Sequence, residues 1–83
     1  LYQNTPNPFK GETIVGFNLP TEGSATLTVN DLSGKVIFMV EGDYSKGYNQ
    51  VSISSKDLPA TGVLYYTLST DNDTATKKMI LIK

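Results

Sequence analysis

An 83-residue chain is long enough for one hydrophobic core but not two, since a domain of this size buries only about 60% of the surface its unfolded form exposes. Seven basic residues against eight acidic ones leave a net charge of -1, with no like-charge run longer than Lys77-Lys78, so nothing in the charge balance draws the chain to nucleic acid or an anionic membrane. Cysteine and histidine are both absent, which removes disulfides, thiolate sites and the commonest zinc, Ser-His-Asp and Cys-His arrangements.

At the start of the chain, Leu1-Tyr2-Gln3-Asn4 has neither a basic beginning nor an apolar signal core. The missing initiator Met fits a piece of a larger protein. Pro6-Asn7-Pro8 forbids a helix, because each proline lacks an N–H donor and pushes the residue before it toward extended geometry; an extended lead-in strand or loop is expected. From Thr13, the large apolar residues Val15, Phe17 and Leu19 alternate with Gly16 and Asn18, a strand with one apolar face that Pro20 ends. Ala25, Leu27 and Val29 repeat that period against Thr26, Thr28 and Asn30, giving a second strand with a threonine-rich outer face.

Asp31-Leu32-Ser33-Gly34 supplies turn chemistry: Asp bonds its own downstream backbone and Gly takes positive φ. The next strand spans about residues 35–41. Alternation places Val36, Phe38 and Val40 on one face and Ile37 and Met39 on the other, so this strand is expected to be central or covered by a loop. Residues 42–47 read as a polar connection, and Val51 with Ile53 marks another alternating strand ending near Ser55. Leu58-Pro59-Ala60-Thr61-Gly62 makes a corner, residues 63–70 are dense in β-formers, Asp71-Asn72-Asp73 breaks them, and a last strand covers about residues 76–82. The final apolar run, Met79-Ile80-Leu81-Ile82, is far short of the roughly 20 residues a membrane-spanning helix needs. Turn signals every 8 to 12 residues and the lack of a helical stripe predict an all-β fold, an immunoglobulin-like antiparallel β-sandwich of about seven short strands, with a small barrel as the alternative.

Candidates for chemistry are few, and no cofactor or metal is expected. The closest carboxylate pairs, Glu41 with Asp43 and Asp71 with Asp73, fall in predicted turns, where acids ordinarily serve as solvated turn formers. Asp71-Asn72-Asp73 opens like a calcium loop, but Thr76 stands where the EF-hand template needs Gly and Ile82 where it needs Glu. Asn72-Asp73-Thr74 matches the short N-glycosylation pattern. The five tyrosines, Tyr2, Tyr44, Tyr48, Tyr65 and Tyr66, raise a carbohydrate-binding reading. Tyr65 and Tyr66 point to opposite faces of their strand and no Trp anchors a platform, so cross-strand packing explains them as well. Lys77, Lys78 and Lys83 flank the apolar last strand, either blunting an edge against unwanted pairing or forming a tail that a partner reads by strand addition.

Five segments follow one another in an order that strand construction does not require. They are Asn4-Thr5-Pro6-Asn7-Pro8-Phe9; Phe17-Asn18-Leu19-Pro20; Leu27-Thr28-Val29-Asn30-Asp31-Leu32-Ser33-Gly34-Lys35; Gly62-Val63-Leu64-Tyr65-Tyr66; and Lys78-Met79-Ile80-Leu81-Ile82-Lys83. In this order they resemble the C-terminal sorting domain, type A, of cargo carried by the bacterial type IX (Por) secretion system. Asn30 and Leu64 stand where the family often has Tyr, and Gly16 interrupts a strand. A flagellar hook-capping sandwich shares the Gly-x-Tyr strand, but residues 54–62 lack its Trp-Asp-Gly signature.

The resemblance implies a non-catalytic signal domain spanning residues 1–83, excised from a larger secreted protein. It would direct an upstream cargo through the periplasm and across the outer membrane to the cell surface or the medium, and a sortase-like peptidase would then remove it. Expected partners are the type IX translocon, that peptidase and the linked cargo, with no nucleic acid, no membrane insertion and a monomeric isolated domain. Recognition is expected at Lys77, Lys78, Met79, Ile80, Ile82 and Lys83, with Pro6, Asn7, Pro8 and Phe9 sealing one end of the sandwich and Gly34 and Gly62 serving as turn residues. The competing reading is a carbohydrate-binding or spacer immunoglobulin-like module of a secreted hydrolase. Asp73-Thr74-Ala75 also resembles a short O-glycosylation pattern of proteins exported by such bacteria.

Overall fold

A computed structural model describes residues 1–82, which form six strands: β1 (Glu12–Leu19), β2 (Gly23–Asn30), β3 (Val36–Tyr44), β4 (Gly47–Ser54), β5 (Gly62–Thr70) and β6 (Thr74–Leu81). A single 3-10 turn, Ser55–Asp57, lies between β4 and β5. The ladders between these strands are all antiparallel, and the isolated bridge of Phe9 to Leu81 is parallel. β1 pairs with β4 in one sheet, and the other has the order β3-β2-β5-β6. The two sheets pack as an immunoglobulin-like sandwich. The predicted seventh contribution is supplied by residues 1–9, which bridge to β1 at Thr5 and to β6 at Phe9 without forming a continuous ladder.

Period-two alternation accounts for the core. Val15, Phe17 and Leu19 of β1 and Ile53 of β4 face Ala25, Leu27 and Val29 of β2, Leu64, Tyr66 and Leu68 of β5, and Met79 and Leu81 of β6; Phe9 and Leu58 close the cluster. The opposite face of the larger sheet carries two rows of hydroxyls in register, Thr26 with Ser69 and Thr74, and Thr28 with Thr67 and Thr76. Those polar rows keep this face in water while the alternate residues enter the core.

β3 departs from the expected pattern in two ways. Among the described residues it is an edge strand, neither central nor paired on its far side, and the register slips from Val29 opposite Phe38 to Asn30 opposite Val36. Ile37 is therefore the extra residue of a β-bulge, which bends the strand and breaks its alternation. Ile37, Phe38 and Val40 all pack against the core, while Val36 and Met39 are exposed. The strand also runs on through Tyr44, where a polar connection was expected. Pairing of Gly42 with Ala25 and Tyr44 with Gly23 continues the ladder, and the Tyr44 ring meets Phe17 edge-on with centroids 5.0 Å apart. Long-range pairing thus overrides the turn-like composition of these residues. The same extension moves Glu41 and Asp43 out of the turn assigned to them and onto the exposed side of β3, where the Thr26 hydroxyl donates to Glu41 Oε2 at 3.2 Å.

Gly34 and Gly62 take φ of +89° and +90°, backbone geometry that L side chains adopt only at a cost. In the turn at Gly34, the Asp31 carboxylate accepts hydrogen bonds from the Ser33 hydroxyl at 2.6 Å, the Ser33 amide at 2.9 Å and the Lys35 amide at 3.0 Å. The Ser33 hydroxyl bond is the main influence holding Asp31 below the usual carboxylate range.

Candidate functional site at the last strand

Strand alternation divides the predicted recognition residues instead of grouping them. Met79 is buried with Leu81 in the core, so its side chain is out of a partner's reach while the domain is folded. Lys77 falls on the same side of β6 as Met79 but is exposed, because the first half of this strand stands at the rim of the sandwich. Lys78, Ile80 and Ile82 lie on the outer face, where Lys78 is opposite Tyr65 and Ile80 opposite Val63. Lys77 and Lys78, adjacent in sequence, therefore point to opposite sides. The outer face forms a mixed basic and apolar stripe in which Tyr65 is 41% and Ile82 43% exposed. Lys83 lies outside the described residues.

The free edge of β6 is occupied over its second half. Residues 1–9 cross from one sheet to the other along a side of the sandwich. Thr5 exchanges backbone bonds with Ile14 at 2.9 and 2.8 Å, and the Tyr2 amide donates to the Gly16 carbonyl at 2.9 Å, adding a partial third strand beside β1. Farther on, the Ile80 amide donates to Asn7 Oδ1 at 2.9 Å. The Phe9 amide donates to the Ile80 carbonyl at 3.0 Å, and the Ile82 amide donates to the Phe9 carbonyl at 2.8 Å. Gln3 Nε2 adds a bond to the Lys78 carbonyl at 2.7 Å. The edge groups that strand addition would use at residues 80–82 are thus already paired, and a partner strand reaching them has to displace this segment. Pro6 and Pro8 both follow cis peptide bonds at the corner of the crossing.

A buried polar network fixes that segment, and the sequence reading gave it no role. The Tyr66 hydroxyl donates to the Tyr2 carbonyl at 2.8 Å and accepts the Asn4 amide at 2.9 Å. Asn4 Nδ2 donates to Thr13 Oγ1 at 2.9 Å and to the Pro6 carbonyl at 3.2 Å, while Thr13 Oγ1 donates to the same carbonyl at 2.9 Å. Gln3 Nε2 completes the set by donating to Asn4 Oδ1 at 2.6 Å. Among the described residues no buried side-chain polar atom lacks a partner, which is the condition under which such a network stabilises. Burial raises the Tyr66 hydroxyl above the ordinary tyrosine range, with the Asn4 amide opposing the shift. The signal that exposes this network is Thr13, a polar residue in phase with Val15, Phe17 and Leu19 on the inner face, where it requires a buried partner.

Elsewhere, a cleft of about 340 Å³ opens between the β1–β2 and β5–β6 turns, bordered by Glu22, Asp71 and Asp73. Asp73 accepts the Thr74 amide through Oδ1 at 2.8 Å and the Thr70 amide through its carbonyl at 2.9 Å, as a turn former does. The described residues contain no group of three acidic, histidine or cysteine side chains able to hold a metal ion.

The model of the secretion system C-terminal sorting domain family matches residues 5–83, nearly the whole chain. The chain belongs to that family. No curated protein and no solved structure matches it. As a sorting domain of the type IX system it is a C-terminal secretion signal, one that implies a cargo protein and the type IX machinery and marks that cargo for the cell surface or extracellular space. Sorting domains of this family are generally non-catalytic. The matched region includes both the lead-in segment from Thr5 and the whole of β6, the two elements that meet at Ile80 and Ile82.

Proposed function

We propose that this domain is read as a folded module by the type IX outer-membrane translocon after its cargo has reached the periplasm, and that a sortase-like peptidase then separates it from the cargo. The supporting observation is the family match from Thr5 to the end of the chain. The recognition surface is the outer face of β5 and β6: Lys78, Ile80 and Ile82 with Tyr65 beside them. This face is solvent-exposed, carries both charge and apolar area, and requires no core residue to move. Lys77, at the rim on the other side of β6, keeps foreign strands off the first half of the edge by placing a charge where an apolar strand would pair.

The test is a fusion of residues 1–83 behind a periplasm-targeted fluorescent protein, expressed in a bacterium that has type IX secretion. The intact fusion is expected outside the outer membrane. A fusion carrying Lys78→Glu, Ile80→Ser and Ile82→Ser is expected to stay in the periplasm with an unchanged circular dichroism spectrum. Retention of the intact fusion would refute the sorting reading; export of the triple variant at the wild-type level would refute the recognition surface alone.

A further inference from the structure

The two-stranded sheet has an outer face of its own, on the opposite side of the core from β6, and it carries two exposed tyrosines in contact. Tyr2 is 51% and Tyr48 56% exposed, with ring centroids 5.9 Å apart and planes inclined by 53°. Tyr48 stands opposite Asn18 in the β1–β4 ladder, but its ring leans to the diagonal neighbour, Gly16. A Cβ on Gly16 would collide with the Tyr48 hydroxyl and lie 2.9 Å from ring carbons Cε1 and Cζ. The glycine thus lets the ring rest on the sheet backbone with its other side open to solvent. Gln50 Nε2 donates to the Tyr48 hydroxyl at 3.3 Å, and Asn18, opposite Tyr48 in the ladder, is a second exposed amide on this face.

We propose that Tyr2 and Tyr48 form a stacking platform for a neutral polysaccharide. A hexopyranose ring offers an apolar C–H face to an aromatic ring and hydroxyls at its rim to amide side chains, the two kinds of surface that lie side by side here. Charge supports this occupant: the tyrosines, Gly16, Asn18 and Gln50 are all uncharged, so a phosphate or carboxylate ligand finds no counter-charge among them. This platform is separate from the sorting surface and does not depend on it.

Affinity electrophoresis of the 83-residue domain through gels containing laminarin, xyloglucan or hydroxyethylcellulose tests the proposal, with alginate as the anionic control. Retardation by at least one neutral polymer is expected, weakened about tenfold by Tyr2→Ala and preserved by Tyr48→Phe, which keeps the ring. Gly16→Ala dislodges the Tyr48 ring without removing it and is expected to weaken retardation as well, with the fold checked by circular dichroism. No retardation by any of the three neutral polymers, retardation by alginate alone, or binding unaffected by both Tyr2→Ala and Gly16→Ala would overturn the platform. So would concentration-dependent dimerisation in sedimentation that Tyr2→Ala abolishes, since the face would then belong to a second copy.

Discussion

Replacing Tyr66 by Phe isolates the bond that ties the lead-in segment to the larger sheet. Phenylalanine retains the ring and its contacts in the core but removes the hydroxyl, which both donates to the Tyr2 carbonyl at 2.8 Å and accepts the Asn4 amide at 2.9 Å. A net hydrogen bond contributes roughly 0.5–1.5 kcal/mol, and a buried donor left without an acceptor costs about 1–3 kcal/mol. Since the Asn4 amide is in a buried contact, its loss dominates, and the total is expected near 2–3 kcal/mol. A chain of this length has a stability of roughly 4–12 kcal/mol, so the variant still folds, with a midpoint lowered by about 10–20 °C.

Equilibrium unfolding in urea measures the free energy, and amide hydrogen exchange locates the effect. The Thr5 and Ile82 amides, which bond to Ile14 and Phe9 across the two halves of the crossing, are expected to exchange faster, while amides of the central strand β2 follow only the global loss. Tyr65→Phe, on the outer face of the same strand, is the control and is expected to stay within about 0.5 kcal/mol of wild type. A cost below about 0.5 kcal/mol for Tyr66→Phe, or a larger cost with unchanged exchange at Thr5 and Ile82, would refute the role assigned to this hydroxyl.

Other substitutions separate core packing from backbone geometry and charge. Phe9→Ala empties a buried site and is expected to cost about 3–5 kcal/mol in urea unfolding, with exchange at Ile80 and Ile82 rising because the edge of β6 opens. Gly62→Val places a branched side chain at a φ of +90° and is expected to cost at least 1–2 kcal/mol, whereas Gly23→Ala, with nothing near its Cβ position and no such φ, is expected to have little effect. At alkaline pH the raised Tyr66 value means that the folded state holds its proton after the unfolded chain has released it. The associated stability is intact below the ordinary tyrosine value of about 10 and declines as pH rises from there toward the folded value; denaturation midpoints between pH 9 and 11 should fall less steeply in Tyr66→Phe. The lowered Asp31 value has the opposite sense: its contribution is present above the ordinary carboxylate value and lost as pH falls through the folded one, and NMR titration of the Asp31 carboxyl should place its midpoint below the ordinary aspartate value of about 3.9.

The sandwich was legible where a strand keeps strict alternation against a partner. Val15, Phe17 and Leu19, and Ala25, Leu27 and Val29, lie on the faces that their spacing predicts. Alternation failed as a guide in β3, since a single extra residue at Ile37 inverts the parity of everything before it, and a bulge has no mark in the sequence that distinguishes it from regular strand. Gly42-Asp43-Tyr44 has the composition of a turn and the position of a strand, because pairing with Gly23 and Ala25 is set by residues far away in the chain. At the candidate site, adjacency in sequence groups the residues of the final strand, but a period of two separates Lys77 and Met79 from Lys78 and Ile80. The network around Asn4 was hidden for a different reason. Proline-rich backbone has no hydrophobic period, so only the isolated polar residue on the inner face of β1 pointed to it.

The crossing of residues 1–9 constrains how the last strand is used. Its upstream part belongs to the β1 sheet through Tyr2 and Thr5, and its downstream part covers β6 through Asn7 and Phe9. A partner that adds a strand at Ile80 and Ile82 must break three backbone-directed bonds and expose Phe9, at a cost set mainly by that buried ring. A partner that reads the outer face of β5 and β6 breaks none of them. The open half of the edge, residues 74–77, still offers backbone groups, but it is the half that carries Lys77 at the rim and the hydroxyl row of Thr74 and Thr76, features that disfavour pairing with an apolar strand. Side-chain readout of Lys78, Ile80 and Ile82 is therefore the lower-cost route for any protein that meets the domain folded, and backbone readout of the same strand becomes available only to one that first releases the lead-in segment.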